Sequence, residues 1–324
     1  MTTTGTERLR LGVTLLSADT VIRPDELARA AEERGFESLW LPEHSHIPVS
    51  RKSPWPGSLT GEPLPAPYAR LHDVFVALSM AAAVTSTLRL GTSVLLLAQR
   101  DAIWTAKQAS TLDHLSGGRL ELGVGIGWNR EEMENHGVLF AHRWTLVRER
   151  VAAMRALWNN DVGTYDGELV HVAPSWQWPK PSQASGPPVH LGGGAGPRLL
   201  GEVASWADGW LPISARSSLR PRLDAMFAAC ERAGRDPSAV KVSLFGATTD
   251  LKGLESLASE GVHRAVLTSW AKDRDGVLRD LDAWIPLVDE FRGRTLRREL
   301  DAGSGVSATI GHERVVGRNP GASS

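Results

Sequence analysis

A glutamate and two histidines stand close together at Glu43-His44-Ser45-His46, just after the apolar run 36–41. A histidine titrates near neutrality and can give or take a proton, and an adjacent carboxylate can orient it or balance its charge. The residue types at Glu43 and His44 therefore suit general acid–base work at the end of a strand. The His44-x-His46 spacing also admits a metal pair, but such a site needs further ligands from later strands. His190 falls inside its strand and His263 at the wrong end of another, so the set stays incomplete and no metal site is assigned. The plainer alternative is that these polar groups only bond neighbouring loops.

Two glycine runs could hold a ligand. Gly123-x-Gly125-x-Gly127 resembles a dinucleotide fingerprint but misses its spacing. It also lacks the acid expected roughly twenty residues on, where the pattern here is helical. What remains is either a loop that lets a ligand approach the backbone or a tight turn. Leu191-Gly192-Gly193-Gly194-Ala195-Gly196-Pro197-Arg198 says more. Its glycines free the backbone N–H groups, Pro197 suits the first helical position, and a helix follows at once. An open helix N-terminus attracts an anion such as a phosphate, and Arg198 adds positive charge. A simple strand-to-helix turn is the alternative. Trp128, Trp176, Trp178 and Trp210 lie near strand ends or inserted loops and could line an apolar pocket, whereas Trp144 and Trp158 sit on a helical pattern and read as core.

These residues need elements to position them. Apolar runs at 9–16, 36–41, 88–97, 120–124, 189–191, 209–213, 240–247 and 265–268 alternate with helical patterns. Short apolar runs with helices between them build a parallel sheet, and eight such alternations are the count of a (β/α)8 barrel, a TIM barrel of the α/β class. Segments 43–72 and 129–188 are longer than a plain barrel needs, giving insertions after strands two and four at the catalytic end, where they would shape a substrate pocket. Within the second, the pattern predicts one long helix over 130–158 and then turns. Residues 1–292 read as one barrel domain, and the Gly-, Ser- and Arg-rich stretch 293–324 as a flexible tail.

The chain has 324 residues, 42% hydrophobic and 23% charged, with a net charge of −1, a globular composition without the basic stripe of a nucleic-acid binder. No signal-peptide pattern or apolar run of about twenty residues is present. Together with the lone Cys230, this suggests a cytoplasmic protein that neither spans a membrane nor relies on disulfides.

The order and spacing of several motifs resemble the luciferase-like monooxygenase superfamily, in particular its actinobacterial branch dependent on the deazaflavin coenzyme F420. These are Leu90-Gly91-Thr92-Ser93-Val94-Leu95, Ala106-Lys107-Gln108, Thr111-Leu112-Asp113, Ser116-Gly117-Gly118-Arg119, Gly123 to Asn129, Pro179-Lys180-Pro181, Gly192-Gly193-Gly194 and Ala207-Asp208-Gly209-Trp210, spread over residues 8–292. The resemblance implies a barrel that binds a flavin or deazaflavin at its C-terminal mouth, with a cis peptide at Ser93–Val94 behind the ring. By the same likeness Glu43 and His44 are the acid–histidine pair, with His44 exchanging a proton and Glu43 positioning it. Ser93 and Val94 support the ring, Ile126 and Gly127 border its polar edge, and Gly193, Gly194, Ala195 and Gly196 receive the phosphate. Two departures from the family's sugar-phosphate dehydrogenases, Pro48 for a tryptophan and Trp128 for an acid, argue against sugar phosphates. The implied function is F420-dependent hydride transfer to or from a small organic substrate, by a homodimer. The alternatives are an FMN-dependent monooxygenase using oxygen and a reductase partner, and a non-catalytic cofactor-binding barrel. Arg100, Arg130 and Lys180 are candidates to meet the glutamate tail of F420.

Overall fold

The computed structural model describes residues 9–58, 61–214 and 218–303, with side chains through residue 293. Eight parallel strands close into a barrel: β1 (Arg10–Thr14), β2 (Ser38–Leu41), β3 (Arg89–Thr92), β4 (Leu120–Gly125), β7 (Val189–Gly192), β8 (Gly209–Leu211), β9 (Lys241–Phe245) and β10 (Arg264–Thr268). The remaining two, β5 (Gly163–Asp166) and β6 (His171–Ser175), pair as an antiparallel hairpin outside it. The barrel closes where β1 pairs with both β10 and β2, for example Val13 with Leu267 and with Leu39. This is the TIM barrel expected from the eightfold alternation.

Around the barrel run α1 (Pro24–Glu33), α2 (Val74–Ala83), α3 (Ala102–Ser116), α4 (Arg130–Asn135), α5 (Arg143–Asn159), α6 (Pro197–Trp206), α7 (Arg220–Arg232), α8 (Leu251–Ser259) and α9 (Arg274–Gly303). Their starts follow local chemistry. Asp73, Asp101 and Asp250 cap α2, α3 and α8 by accepting the N–H groups of Val76, Trp104 and Gly253. Pro24, Pro197 and Pro221 occupy first-turn positions, where a missing N–H does no harm. Among the described residues no helix is long and apolar enough to cross a membrane.

The sequence pattern misplaces three features. The single helix expected over 130–158 is two, α4 and α5, because the chain turns at Gly137 with φ of 73° and then through Phe140–His142. Residues 135–142 hold Gly137 and an unbroken apolar run at 138–141 in place of a helical stripe, so nothing holds one continuous helix there. The turn-rich stretch after α5 contains the β5–β6 hairpin, which is held by the buried Glu149 carboxylate accepting the N–H groups of Glu168, Leu169 and Val170. Helix α9 runs past residue 293, where a mobile tail was expected to begin, and residues 304–324 lie outside the described residues.

The core has two parts. Apolar faces of the helices pack on the outside of the strands in one continuous cluster. Inside the barrel Trp40, Leu211 and Val266 form a plug, with Val94 and Phe245 packed on it. Trp40 fits because β3 offers Gly91, where a Cβ would lie 2.1 Å from the indole. Below the plug, at the N-terminal end, Arg264 is 5% exposed and makes paired bonds to both Glu37 and Glu121 at 2.7–3.0 Å. Arg89 also bonds Glu121, and the His190 ring faces it at 3.0 Å.

Candidate active site

The sequence-derived residues gather at the C-terminal mouth. Strand β2 ends at Leu41, and the chain turns there through Pro42 to place Glu43 and His44, both buried. Their carboxylate and imidazole do not meet as a pair. Glu43 accepts the Leu96 N–H at 2.7 Å and bonds the Arg100 guanidinium, whose Nε lies 2.7 Å away. Arg100 also reaches Gln108 and Asp73. Glu43 thus ties the segment after β3 to β2, and Arg100 is occupied there by protein partners.

The partner of His44 is Glu132, on α4. Nδ1 of His44 lies 2.6 Å from Glu132 Oε2. The other oxygen of Glu132 accepts from the Ser45 N–H at 3.1 Å and from Gln99 Nε2 at 2.8 Å. Burial pushes the Glu132 carboxyl upward, but bonding to His44, Gln99 and Ser45 outweighs it and holds the pKa below the ordinary value. A carboxylate on Nδ1 assigns the proton to that nitrogen and leaves Nε2 as the exchanging one. No described residue bonds Nε2. The carboxylate that meets His44 is therefore Glu132 and not the adjacent Glu43. The sequence signal was an acid in the first turn of a helix just past the glycine loop, four residues beyond Trp128.

Aromatic side chains wall the pair. Tyr68 and Trp128 face the His44 ring at 5.6 and 5.7 Å, Trp55 packs edge-on against Tyr68, and Arg51 lies over Trp128. Burial raises the Tyr68 pKa, so its hydroxyl stays protonated. Three of these residues, Arg51, Trp55 and Tyr68, come from the insertion after strand two, as a pocket-shaping segment should supply. Trp176 and Trp178 are exposed, and Trp210 is buried with its indole N–H on the Gly193 carbonyl. His46 bonds Ser45 and Asn135.

Strand β3 stops at Thr92, and the Ser93–Val94 peptide is cis, as expected. Ser93 N–H still bonds the Leu41 carbonyl, and Leu95 resumes pairing with β4 through Gly123 and Gly125. The bulge drives Val94 between Gly125 and Gly192, where a Cβ would lie 2.4 and 2.6 Å from its methyls. Gly123 likewise clears the Thr92 carbonyl. These glycines make room for β3 and its bulge, so close packing explains them better than ligand approach. Gly127 differs, with φ of 84° and Met133 beside it. Ile126 is half-buried next to it.

Gly193 bonds back to Leu211, and Gly194, Ala195 and Gly196 lead into α6. No side chain caps that helix, and nothing stands within 4 Å of a Cβ at Gly194 or Gly196. Arg198, in its first turn, lies over Trp144. Arg143 lies nearby, and its pKa is lowered by burial first and then by the charges of Arg198 and Arg130. Arg130 and Arg143 both lie over the Phe140 ring, so these two guanidiniums stand together. Of the expected tail-binding residues only Arg130 belongs to this group, since Lys180 bonds the Leu157 and Asn160 carbonyls.

A parallel barrel with a buried histidine–carboxylate pair, a bulged third strand and an uncapped helix at one mouth has the architecture of a cofactor-binding barrel enzyme. The chain belongs to the luciferase-like monooxygenase family, whose profile matches residues 5–251, and it is an oxidoreductase. It is 43% identical over 203 residues to an uncharacterized protein of Mycobacterium tuberculosis, covering 63% of this chain and 72% of that one. It is 31% identical over 301 residues to the phthiodiolone/phenolphthiodiolone dimycocerosates ketoreductase of Mycobacterium kansasii, covering 85% and 78%. Its fold is similar to that of the coenzyme F420 dependent tetrahydromethanopterin reductase from Methanopyrus kandleri, with a TM-score of 0.66, 18% identity, and 85% and 97% of the chains covered.

Proposed function

We propose that this protein is a coenzyme F420-dependent oxidoreductase that moves a hydride between the deazaflavin and a small organic substrate. The observation that carries the reading is the His44–Glu132 pair, which leaves one imidazole nitrogen free at the barrel mouth. The residues present fit such a cofactor. The uncapped α6 end suits a phosphate, the Val94 bulge offers a backing for a flat ring, and the guanidiniums of Arg130, Arg143 and Arg198 suit the added anionic tail that distinguishes F420 from FMN. A ketoreductase among the relatives and an F420-dependent reductase among the similar folds point the same way.

When bound, the deazaflavin supplies or accepts the hydride. His44 gives or takes the matching proton at Nε2, and Glu132 keeps Nδ1 protonated and the ring fixed. Val94 and Ser93 support the cofactor's face, Ile126 and Gly127 border its polar edge, and Gly193, Gly194, Ala195 and Gly196 bind its phosphate. Trp55, Tyr68 and Trp128 keep water from the substrate side. Glu43 acts at one remove, holding the segment that follows the bulge. The reading includes a cytoplasmic homodimer.

Titration of the purified protein with F420 and with FMN, followed by absorbance and fluorescence, tests the cofactor. Tight binding of FMN and none of F420 overturns the assignment in favour of a flavin monooxygenase. His44→Ala should lower turnover by about 10²–10⁴-fold while cofactor binding survives. Normal turnover by that variant would remove His44 from the chemistry.

A further inference from the structure

We propose that Ser45 and His136 form a proton relay linking the buried His44–Glu132 pair to solvent. The proposal rests on the reading of His44 as the proton-exchanging group. The side chain of His44 is 5% exposed and that of Glu132 1%, and Tyr68 and Trp128 flank the imidazole. A substrate over the mouth closes the remaining approach to Nε2. A proton delivered there in each turnover then needs another way out.

The structure provides one on the Nδ1 side. Ser45 Oγ lies 3.3 Å from Glu132 Oε1, 2.7 Å from His136 Nε2 and 2.9 Å from His46 Nδ1. His136 is exposed at the end of α4, and Asn135 holds His46 at Nε2. A single hydroxyl, on a residue itself exposed, thus touches the buried carboxylate on one side and the half-buried His46 and exposed His136 imidazoles on the other. A polar cluster serving only to fix Glu132 needs neither histidine, because the Ser45 N–H and Gln99 already bond the same oxygen.

The transfer balances without any electron leaving. His44 gains a proton at Nε2, its Nδ1–H bond breaks, and an O–H bond forms on Glu132 Oε2. The carboxyl group turns and passes that proton to Ser45 Oγ, whose own proton moves to His136 Nε2. The resulting imidazolium loses a proton from Nδ1 to buffer, so one proton has left and His44 and His136 each hold their remaining proton on Nε2. Both regain the starting tautomer by proton exchange with water once the product has left the mouth. The opposite direction of chemistry runs the same steps in reverse.

The test is the exchange rate of the His44 Nδ1 proton with water, measured by NMR on the full-length, ¹⁵N-histidine-labelled protein without cofactor or substrate. Ser45→Ala and the double variant His46→Gln/His136→Gln should each slow exchange by about tenfold or more, with the His44 tautomer unchanged. Added imidazole should restore the rate in the histidine double variant, which a purely structural role would not allow. Unchanged exchange in both variants overturns the relay. So does slowed exchange that imidazole does not restore and that accompanies a changed tautomer, because Ser45 and His136 are then only supports. Normal turnover by His44→Ala would sink the acid–base reading alone and leave the exchange result standing.

Discussion

The two ends of the barrel bury the same kinds of side chain to opposite effect. At the N-terminal end every charge is answered. Arg264 makes paired bonds to Glu37 and Glu121, adds Ser243, and lies over Trp40, while Arg89 and His190 complete the surroundings of Glu121. At the mouth, Glu132 is as deeply buried, but its partner is a histidine with one nitrogen left over. Carboxylates tied to guanidiniums hold the fold together without exchanging protons, and His190 beside them is sealed in with both ring nitrogens unbonded, whereas the imidazole on Glu132 lies at the open mouth and can exchange one. The Trp40 plug keeps these two environments apart.

Breaking the saturated end should give the largest effect on stability. Arg264→Met keeps the bulk of the side chain but leaves Glu37 and Glu121 only the more exposed Arg10 and Arg89, and losing one partner of a buried ion pair costs about 3–5 kcal/mol. The pH dependence should also change sign. Burial pushes Glu37 and Glu121 upward, but Arg264, with Arg89 and His190 adding at Glu121, outweighs it and holds both below the usual 4.5. In the native protein their contribution is present above the unfolded pKa and lost as pH falls through the lowered values. Without Arg264, burial raises both folded values, so that contribution is present at low pH and lost as pH rises. Denaturant midpoints measured between pH 4 and 8 would show it. A variant as stable as the parent with the parent's pH trend would refute the assignment of this cluster to stability.

The fold was legible in the sequence because buried parallel strands are continuous apolar runs, and eight of them alternate with helical stripes. The start of α6 was legible too, since a glycine run followed by Pro197 marks a strand-to-helix joint. His44 was found from its place after β2. Its partner was not, because Glu43 is adjacent in sequence whereas Glu132 is brought in by α4 across 88 positions. Adjacent residues near a strand end tend to point different ways, and Glu43 turns to Arg100 instead. The same limit hid Arg143, which comes near Arg130 over the Phe140 ring only because the chain breaks at Gly137.

The glycines of the mouth allow a finer comparison. Gly192 is filled by a neighbour, since a Cβ there would lie 2.6 Å from Val94 Cγ1, while Gly194 faces open space. Gly192→Ala must displace Val94 and should cost about 1–3 kcal/mol, the range for overpacking. Gly194→Ala should leave the melting temperature unchanged and weaken cofactor binding, because its methyl enters the proposed phosphate cradle. If Gly194→Ala binds cofactor as well as the parent does, the cradle is misplaced. Equal stability of both variants would mean that Val94 is not wedged as described.

The smallest effect separates Glu132 from its neighbour Glu131. Glu131 accepts the Ser53 hydroxyl at 2.6 Å and the Lys52 and Ser53 N–H groups at 2.7 and 3.2 Å. The Ser53 bond leads the causes that lower its pKa from 4.5 to about 2. It pins the segment that carries Arg51 over Trp128, the outer part of the aromatic wall. A carboxylate with a depressed folded pKa stabilises above its unfolded value and loses that effect as pH falls through the folded one. Hydrogen-exchange protection of residues 51–53 should therefore be constant above about pH 5 and decline from there toward pH 2. Glu131→Gln should lower protection already at neutral pH and flatten the decline, with little change in global stability. Protection that stays level down to pH 2.5 in the parent would show that the wall is held by its aromatic contacts, and that Glu131 is incidental to it.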